Sequence, residues 1–213
     1  MRITKLSRSF LYSFVLLLIC NYHINAQEVK IGTQVWTSKN LDVTRFRNGD
    51  TIMQERSYAD WTKALDSAKP AWCYYNYDSA NGKIYGKLYN WYAVNDPRGL
   101  APLGWHIPKA TDFQTLIDYL GGPATVGTKL KSKTGWGEDG NGTDSSGFAG
   151  LPGGSHAFMQ SPEGIGALGA WWSAEGMVGG DAWGFALFKN ASYGWGHSDA
   201  RSRLAVRCIK DSK

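Results

Sequence analysis

The sequence predicts an α+β fold, and two patterns carry that prediction. Four apolar residues recur at the spacing of one helix face: Phe113, Leu116, Ile117 and Leu120. Three later segments have the apolar and aromatic composition of strands: residues 170–174, 182–188 and 204–209. Because strands follow helices without β-α-β alternation, we expect an antiparallel sheet with helices packed on it.

Both ends of the central helix are marked in the sequence. Thr111 or Asp112 can accept the free amide hydrogens of the first turn, and Pro108 precedes them where the chain is not yet helical. Gly121 and Gly122 permit the left-handed stop, and the following proline blocks continuation. The helix therefore runs over about residues 111–120.

The segments before this helix alternate between short strands and short helices. Residues 29–37 predict a hairpin turning at Gly32, residues 57–65 a capped helix, and residues 72–78 an aromatic strand. Asn81-Gly82 is typical of a turn, and residues 84–94 fit either a strand or a short helix. After the central helix, residues 126–132 predict one or two further helical turns.

Two long loops are predicted in the second half. Eight glycines fall between Gly135 and Gly154, and a loop of that length in a compact domain is usually functional or mobile. Residues 190–202 are predicted to be a polar loop that joins the last two strands. Because the chain shows neither an internal repeat nor an interior linker, residues 27–213 are expected to form one domain.

The first 26 residues have the pattern of a cleaved secretory signal peptide. Three basic residues precede the uncharged run from Phe10 to Cys20, and Ala26 offers a small residue for cleavage. A transmembrane helix would need about 20 apolar residues. We expect a secreted or bacterial cell-surface protein; a lipid anchor at Cys20 ranks second because Ile19 before it is bulky.

Charge excludes two classes of partner. Residues 27–213 hold 20 basic and 18 acidic residues, a net charge of +2. Without a cluster of Lys and Arg, the sequence does not predict binding to the phosphates of a nucleic acid. Polybasic binding to a membrane surface is equally unsupported.

The two cysteines outside the signal allow two interpretations. Cys73 and Cys208 are an even pair in an oxidising compartment, where a disulfide is expected. Both could also be buried free thiols, since cysteine packs as a small hydrophobic residue. Their spacing is not that of a zinc site.

Aromatic residues near the carboxyl end suggest a ligand site. Flat indole and phenol rings stack on the apolar faces of sugars, and polar neighbours bind the hydroxyls; the alternative is core packing, which indoles dominate. The candidate ligand-binding residues are Trp171, Trp172, Asn190, Tyr193, Trp195, His197 and Asp199. Alternation places Trp183 with Phe185 and Leu187 on a buried face.

Metal binding is the second hypothesis. Asp139, Asn141 and Asp144, with Glu138, place oxygen ligands in the glycine-rich loop, as Ca²⁺ requires, although the same residues are common in solvated turns. Three histidines, His106, His156 and His197, could bind a transition metal, but their spacing does not support it.

Covalent catalysis finds little support. The sequence around Ser155 lacks the nucleophile elbow Gly-x-Ser-x-Gly, and Cys208 has no second cysteine near it in sequence. We therefore favour a binding module, with an enzyme as the alternative interpretation.

Five motifs, taken in order, resemble the Fibrobacter succinogenes major paralogous domain family. They are IGTQVW (31–36) with Asn40-Leu41, YGKLYNW (85–91), PLGWHIP (102–108), GFAGLPGG (147–154) and VRCIKD (206–211). The chain departs from the family pattern at Ala101, where a cysteine is common, and this bears on the partner of Cys208. The resemblance covers essentially all of residues 27–213 and implies a bacterial surface protein.

The central turn and the terminal Arg-Cys are also similar, more loosely, to the formylglycine-generating (sulfatase-modifying) enzymes. That similarity implies a C-type-lectin-like fold, with a small antiparallel mixed sheet flanked by two helices and a ligand site on long glycine-rich loops. We expect a secreted or cell-surface module that binds a glycan or a surface protein. The alternatives are an enzyme built on the similar fold and a structural surface domain.

Overall fold

The computed structural model describes residues 28–64, 68–157, 163–176, 179–190 and 193–212. The described residues form five α-helices: α1 (Tyr58–Ala64), α2 (Ser79–Tyr85), α3 (Trp91–Val94), α4 (Ala110–Tyr119) and α5 (Val126–Leu130). They form twelve strands: β1 (Glu28–Ile31), β2 (Gln34–Thr37), β3 (Met53–Gln54), β4 (Ala71–Cys73), β5 (Leu88–Tyr89), β6 (Trp105–His106), β7 (Gly153–Ser155), β8 (Glu163–Ile165), β9 (Leu168–Trp172), β10 (Asp181–Phe188), β11 (Gly194–Asp199) and β12 (Ile209–Lys210). The predicted α+β class is confirmed.

The strands make three separate sheets where the sequence predicted one. One sheet has the order β1-β2-β12-β6 and is antiparallel throughout. The second has the order β11-β10-β9-β7-β8, antiparallel except for the β7–β9 pair. The third, β3-β4-β5, contains one parallel pair. The prediction of one small sheet with two helices therefore underestimates the number of sheets and of helices.

The five-stranded sheet separates two hydrophobic cores. Successive residues of β9 belong to different cores: Trp171 to the core that includes helix α4, and Trp172 to the core that includes Tyr89. We call these the helix-side core and the far core. Because strand side chains alternate between faces, β9 is covered on both sides.

Helix α4 is buried on the stripe that its sequence predicts. Phe113, Leu116 and Ile117 have no exposed surface, and Phe113 stacks on Phe185 of β10 with ring centroids 4.7 Å apart. The Asp112 carboxylate accepts a hydrogen bond from the Lys109 amide at the helix start. Gly121 and Gly122 adopt φ of 94° and 79°, so the predicted left-handed stop is confirmed.

Several other local predictions are confirmed. The hairpin β1–β2 turns at Gly32, and helices α1 and α5 lie where the sequence places them. The loop predicted over residues 135–154 forms no helix or strand up to residue 152, but its last two residues, Gly153 and Gly154, begin β7. The ambiguous segment 84–94 contains the end of α2, then β5 and then α3.

Four local predictions are wrong. Residues 72–78, predicted as one strand, leave β4 at Cys73, and Tyr75–Tyr77 form a 3₁₀ turn. Asn81-Gly82 lies inside α2 because Asp78 caps this helix, its carboxylate accepting from the Ala80 amide at 2.8 Å. Residues 190–202 contain the strand β11, so they are not a loop throughout. Residues 204–208, predicted as part of a strand, make isolated bridges only at Leu204 and Ala205, and the regular strand begins at Ile209.

Arg207 joins distant parts of the chain from inside the protein. The guanidinium is 1% exposed, and it donates to Asn40 Oδ1 at 2.7 Å and to the Thr37 and Phe148 carbonyls at 2.7 and 2.6 Å. A fourth bond reaches the Ala149 carbonyl at 3.2 Å. No ion pair forms with a carboxylate of the described residues, and burial lowers the pKa of Arg207 to about 9.

The predicted signal peptide, with Cys20, lies outside the described residues. Within the part of the chain that the structure describes, no helix combines the length and apolar character needed to cross a bilayer.

Candidate functional site

Strand β11 carries three of the predicted ligand-binding residues on one side, and a fourth, Tyr193, directly precedes the strand. The strand lies at the edge of the five-stranded sheet, paired with β10 alone. Tyr193, Trp195, His197 and Asp199 alternate with two glycines and a serine. Because side chains alternate along a strand, these four share one face, where they form a row that we call the β11 row.

The aromatic residues of the β11 row are held from behind by the helix-side core. Trp195 contacts Phe113 and Phe185 edge-on, with centroid distances of 5.5 and 5.4 Å. Tyr193 stacks on Phe185 at 5.8 Å. Both rings are half-buried, so each is fixed by packing and keeps part of its surface in solvent.

The other end of the β11 row is polar. His197 is exposed, and its ring lies over Trp183, its cross-strand neighbour on β10, with centroids 3.8 Å apart. Trp183 is half-buried, less covered than the sequence predicted. Asp199 binds the Arg201 guanidinium at 2.6 and 2.8 Å, and this contact lowers the pKa of Asp199.

The remaining aromatic candidates are not at the surface. Trp171 and Trp172 have no exposed area, and their indole nitrogens donate to Asn40 Oδ1 and to the Tyr89 carbonyl. Neither ring can stack on a ligand in this conformation, so these two assignments are wrong. Asn190 is exposed just beyond the end of β10.

The oxygen atoms of the predicted calcium site serve the loop itself. Asn141 Oδ1 accepts from the Trp136 amide at 3.0 Å, and Asp144 Oδ1 accepts from the Ala149 amide at 2.8 Å. Glu138 pairs with Lys189 at 2.6 Å, while Asp139 is exposed. Among the described residues, no three His, Cys, Asp or Glu side chains cluster as metal ligands. The structure therefore gives the calcium prediction no support.

Cys73 and Cys208 are both buried free thiols, which is the second of the two interpretations that the sequence allows, and the disulfide is not formed. Cys73 lies in the helix-side core and Cys208 in the far core, so the two belong to different clusters. Burial raises the pKa of each thiol to about 12. Both are therefore protonated at neutral pH and are poor nucleophiles.

The histidines lie in three different environments. His106 Nδ1 is 2.7 Å from the Asp211 carboxylate, and His197 lies over Trp183. His156 is buried against Trp61, with ring centroids 5.0 Å apart. These separate surroundings do not form a three-histidine metal site.

Sequence reasoning missed a cleft on the opposite face of β10 and β11. Its volume is about 200 Å³, and it is partly open to solvent. Gly184 and Gly196 form part of its floor, and Ser155 and Ser198 add hydroxyl groups. The alternation of small residues along both strands was the available signal, but it becomes visible only once residues 194–199 are known to be a strand.

The sequence profile of the Fibrobacter succinogenes major domain matches residues 29–210. The chain belongs to this family. No curated protein matches the chain, and no solved structure does. The resemblance of the five motifs is thus confirmed at the level of the family.

Proposed function

We propose that this member of the family is a binding module that recognises a glycan through the β11 row. One observation carries the proposal: four polar and aromatic residues, spread over seven positions, line up at the edge of a sheet. Strand alternation aligns Trp195, His197 and Asp199, and Tyr193 joins them by stacking on Phe185. Residues two apart on a strand are about 6.8 Å apart, so the row from Tyr193 to Asp199 extends over about 20 Å.

The chemistry of the row suits a carbohydrate. The half-buried rings of Tyr193 and Trp195 provide apolar surface fixed by Phe185, which lowers the entropy lost on binding. At the other end, the Arg201 guanidinium hydrogen-bonds to the Asp199 carboxylate and lowers its pKa, so this side chain presents a negative charge at neutral pH. An ionised carboxylate accepts hydrogen bonds from hydroxyl groups. A sugar chain offers both an apolar ring face and hydroxyl donors.

The test is glycan-array binding with the wild-type protein and Trp195→Ala, followed by titration of any hit. Trp105→Ala is the matched control, because Trp105 is also a half-buried tryptophan but lies on β6 in another sheet. We expect Trp195→Ala to weaken binding at least about tenfold, the loss typical of an aromatic anchor. Trp105→Ala should bind as the wild type does.

Two outcomes would reject this assignment. If the wild type binds no polysaccharide, the glycan proposal fails. If both variants bind equally well, the ligand contacts a surface other than the β11 row. If the wild type binds a surface protein and Trp195→Ala does not, the ligand of the β11 row is a protein and not a glycan.

We also propose that the protein is secreted or displayed on a bacterial surface and that its fold is C-type-lectin-like. The signal-like pattern of residues 1–26 supports the first statement. The central turn leading into helix α4, packed on a sheet, supports the second. Amino-terminal sequencing of exported protein tests the location: a chain that still begins at Met1 argues against cleavage.

A further inference from the structure

The cleft behind the β11 row has a floor of main chain and glycine. Gly196 pairs with Gly184 across β11 and β10, and Gly194 pairs with Ala186. Leu168 and Leu204 line the cleft as apolar side chains. Among the described residues that line it there is no Asp, Glu, Lys, Arg or His, so this part of the lining carries no formal charge.

Packing explains two of the three glycines but not the third. A Cβ at Gly194 would lie 2.9 Å from the Phe188 ring, and one at Gly184 would lie 3.1 Å from Leu204. A Cβ at Gly196 would have no neighbour within 4 Å. None of the three has a φ in the left-handed region, so backbone conformation does not require glycine at Gly196.

Glycine weakens the interior of a strand, and it often marks a place where another group approaches the backbone closely. At Gly196 no residue of the described chain makes that approach. Gly196 is exposed, and its missing side chain leaves room at the mouth of the cleft.

Two hydroxyl groups at the wall of the cleft provide a second observation. Ser155 is 7% exposed and lines the cleft, and its hydroxyl makes no hydrogen bond to another described residue. The half-buried Ser198 also lines the cleft, and its hydroxyl likewise makes none in that part of the chain. Each hydroxyl is therefore available to donate to, or accept from, a ligand in the cleft.

We propose that this cleft binds a neutral aromatic ring that carries one or two polar substituents, such as a phenol. An apolar cavity of about 150 Å³ can hold benzene, so a cleft of about 200 Å³ accepts a substituted ring. The two serine hydroxyls pair with the polar substituent, and the leucines contact the ring.

A sugar fits this cleft less well than a phenol. A pyranose would bring four or five hydroxyl groups into a cleft with two unpartnered serines, and each unpaired hydroxyl would cost binding energy. A charged ring is disfavoured because no described residue of the lining compensates its charge. The cleft therefore differs from the β11 row in the class of its ligand, although Trp195 borders both.

The test is titration of the purified protein with p-cresol, followed by NMR or calorimetry. We expect binding with a dissociation constant in the range of about 1–5 mM, as befits a ligand of this size. Toluene should bind about two- to tenfold more weakly, because it lacks the hydroxyl group. Benzoate should not bind.

Two variants assign the binding to the cleft. Gly196→Val places a side chain in open space with no backbone strain, so the variant folds and blocks the floor; we expect at least a tenfold loss of p-cresol affinity. Gly176→Val is the matched control: Gly176 also has open space and an ordinary φ, but it does not line the cleft. Ser155→Ala should weaken binding about two- to tenfold.

The same titration with N-acetyl-tyrosinamide separates the two sources of a phenol. If the blocked tyrosine binds and Gly196→Val prevents it, the ligand is a tyrosine side chain of a partner; if only p-cresol binds, it is a free phenolic molecule. The proposal is overturned if p-cresol does not bind the folded wild type, or if Gly196→Val binds it as well as Gly176→Val does. Because Trp195 also lines the cleft, Ser155→Ala separates the two sites: it changes the cleft and leaves every residue of the β11 row in place.

Discussion

Replacing Arg207 with lysine tests whether one buried guanidinium holds the fold together. Lysine keeps the positive charge but concentrates its donors on one nitrogen, whereas Arg207 uses three nitrogens to reach four acceptors. A lysine ammonium at this site cannot reach Asn40, Thr37 and the two loop carbonyls together. At least two acceptors then remain buried without a donor.

The expected loss follows from those orphaned acceptors. Each buried polar group left without a partner costs about 1–3 kcal/mol. Two such groups give a loss of about 2–6 kcal/mol in the free energy of unfolding for Arg207→Lys. In a domain of this size, where 1 kcal/mol shifts Tm by about 2–4 °C, that corresponds to a fall in Tm of about 4–24 °C.

Urea unfolding followed by tryptophan fluorescence measures this loss. Arg98→Lys is the matched control, because Arg98 pairs with Asp96 and Asp50 and its side chain is 37% exposed. Pairs at such exposure contribute about 0–1 kcal/mol, so the control should lose no more than that. A loss below about 1 kcal/mol for Arg207→Lys, or one equal to that of Arg98→Lys, would refute the reasoning.

Two further predictions concern buried ionisable groups. Glu55→Gln leaves the buried Arg203 guanidinium without its counter-charge, so we expect the free energy of unfolding, measured in urea, to fall by about 3–5 kcal/mol. The control is Asp50→Asn, which removes the carboxylate of an exposed pair and should lower it by less than about 1 kcal/mol. Equal losses in the two variants would contradict the prediction. The thiols of Cys73 and Cys208 have folded pKa values of about 12 against an ordinary value of 9.0, so the unfolded chain ionises first. The free energy of unfolding should therefore fall as pH rises from about 9 to 12, less steeply in Cys73→Ala or Cys208→Ala, and the mass should not change on reduction. A slope equal to the wild type's in both variants, or a gain of two mass units on reduction, would show that this assignment is wrong.

The sequence predicted correctly those elements whose conformation depends on residues within the same segment. The stripe of helix α4 and its glycine stop lie within one segment, and the structure confirms both. Strand β11 was missed because glycine and serine, which have low strand propensity, fill alternate positions. Its pairing with β10, a long-range interaction, decides its conformation. The turn predicted at Asn81-Gly82 is wrong for a related reason, because Asp78 caps a helix that runs through both residues.

The candidate site shows the same division between local and long-range information. Residue types on β11 suggested an aromatic and polar site, and the strand geometry brings four of the seven candidates into one row. The sequence could not separate these from Trp171 and Trp172, because burial depends on neighbours distant in sequence. Strand β9 lies third in its sheet with a core on each face, so adjacent residues are both buried.

The five family motifs describe the scaffold, and their contacts show why. Asn40 donates to the Tyr85 carbonyl and accepts from Arg207, which in turn binds carbonyls at Phe148 and Ala149. These residues belong to four of the motifs, and the fifth joins them where β6 pairs with β12. Membership of the family is therefore informative about how the chain folds.

The β11 row and Gly196 belong to none of these motifs, and neither takes part in the Arg207 contacts. These residues can be substituted without removing a hydrogen bond that Arg207 makes. A relative that keeps the five motifs is thus expected to keep the fold, while its residues on β11 can specify another ligand. The ligand of this chain must accordingly be determined on β11 and in the cleft behind it, because the shared motifs fix only the framework that presents them.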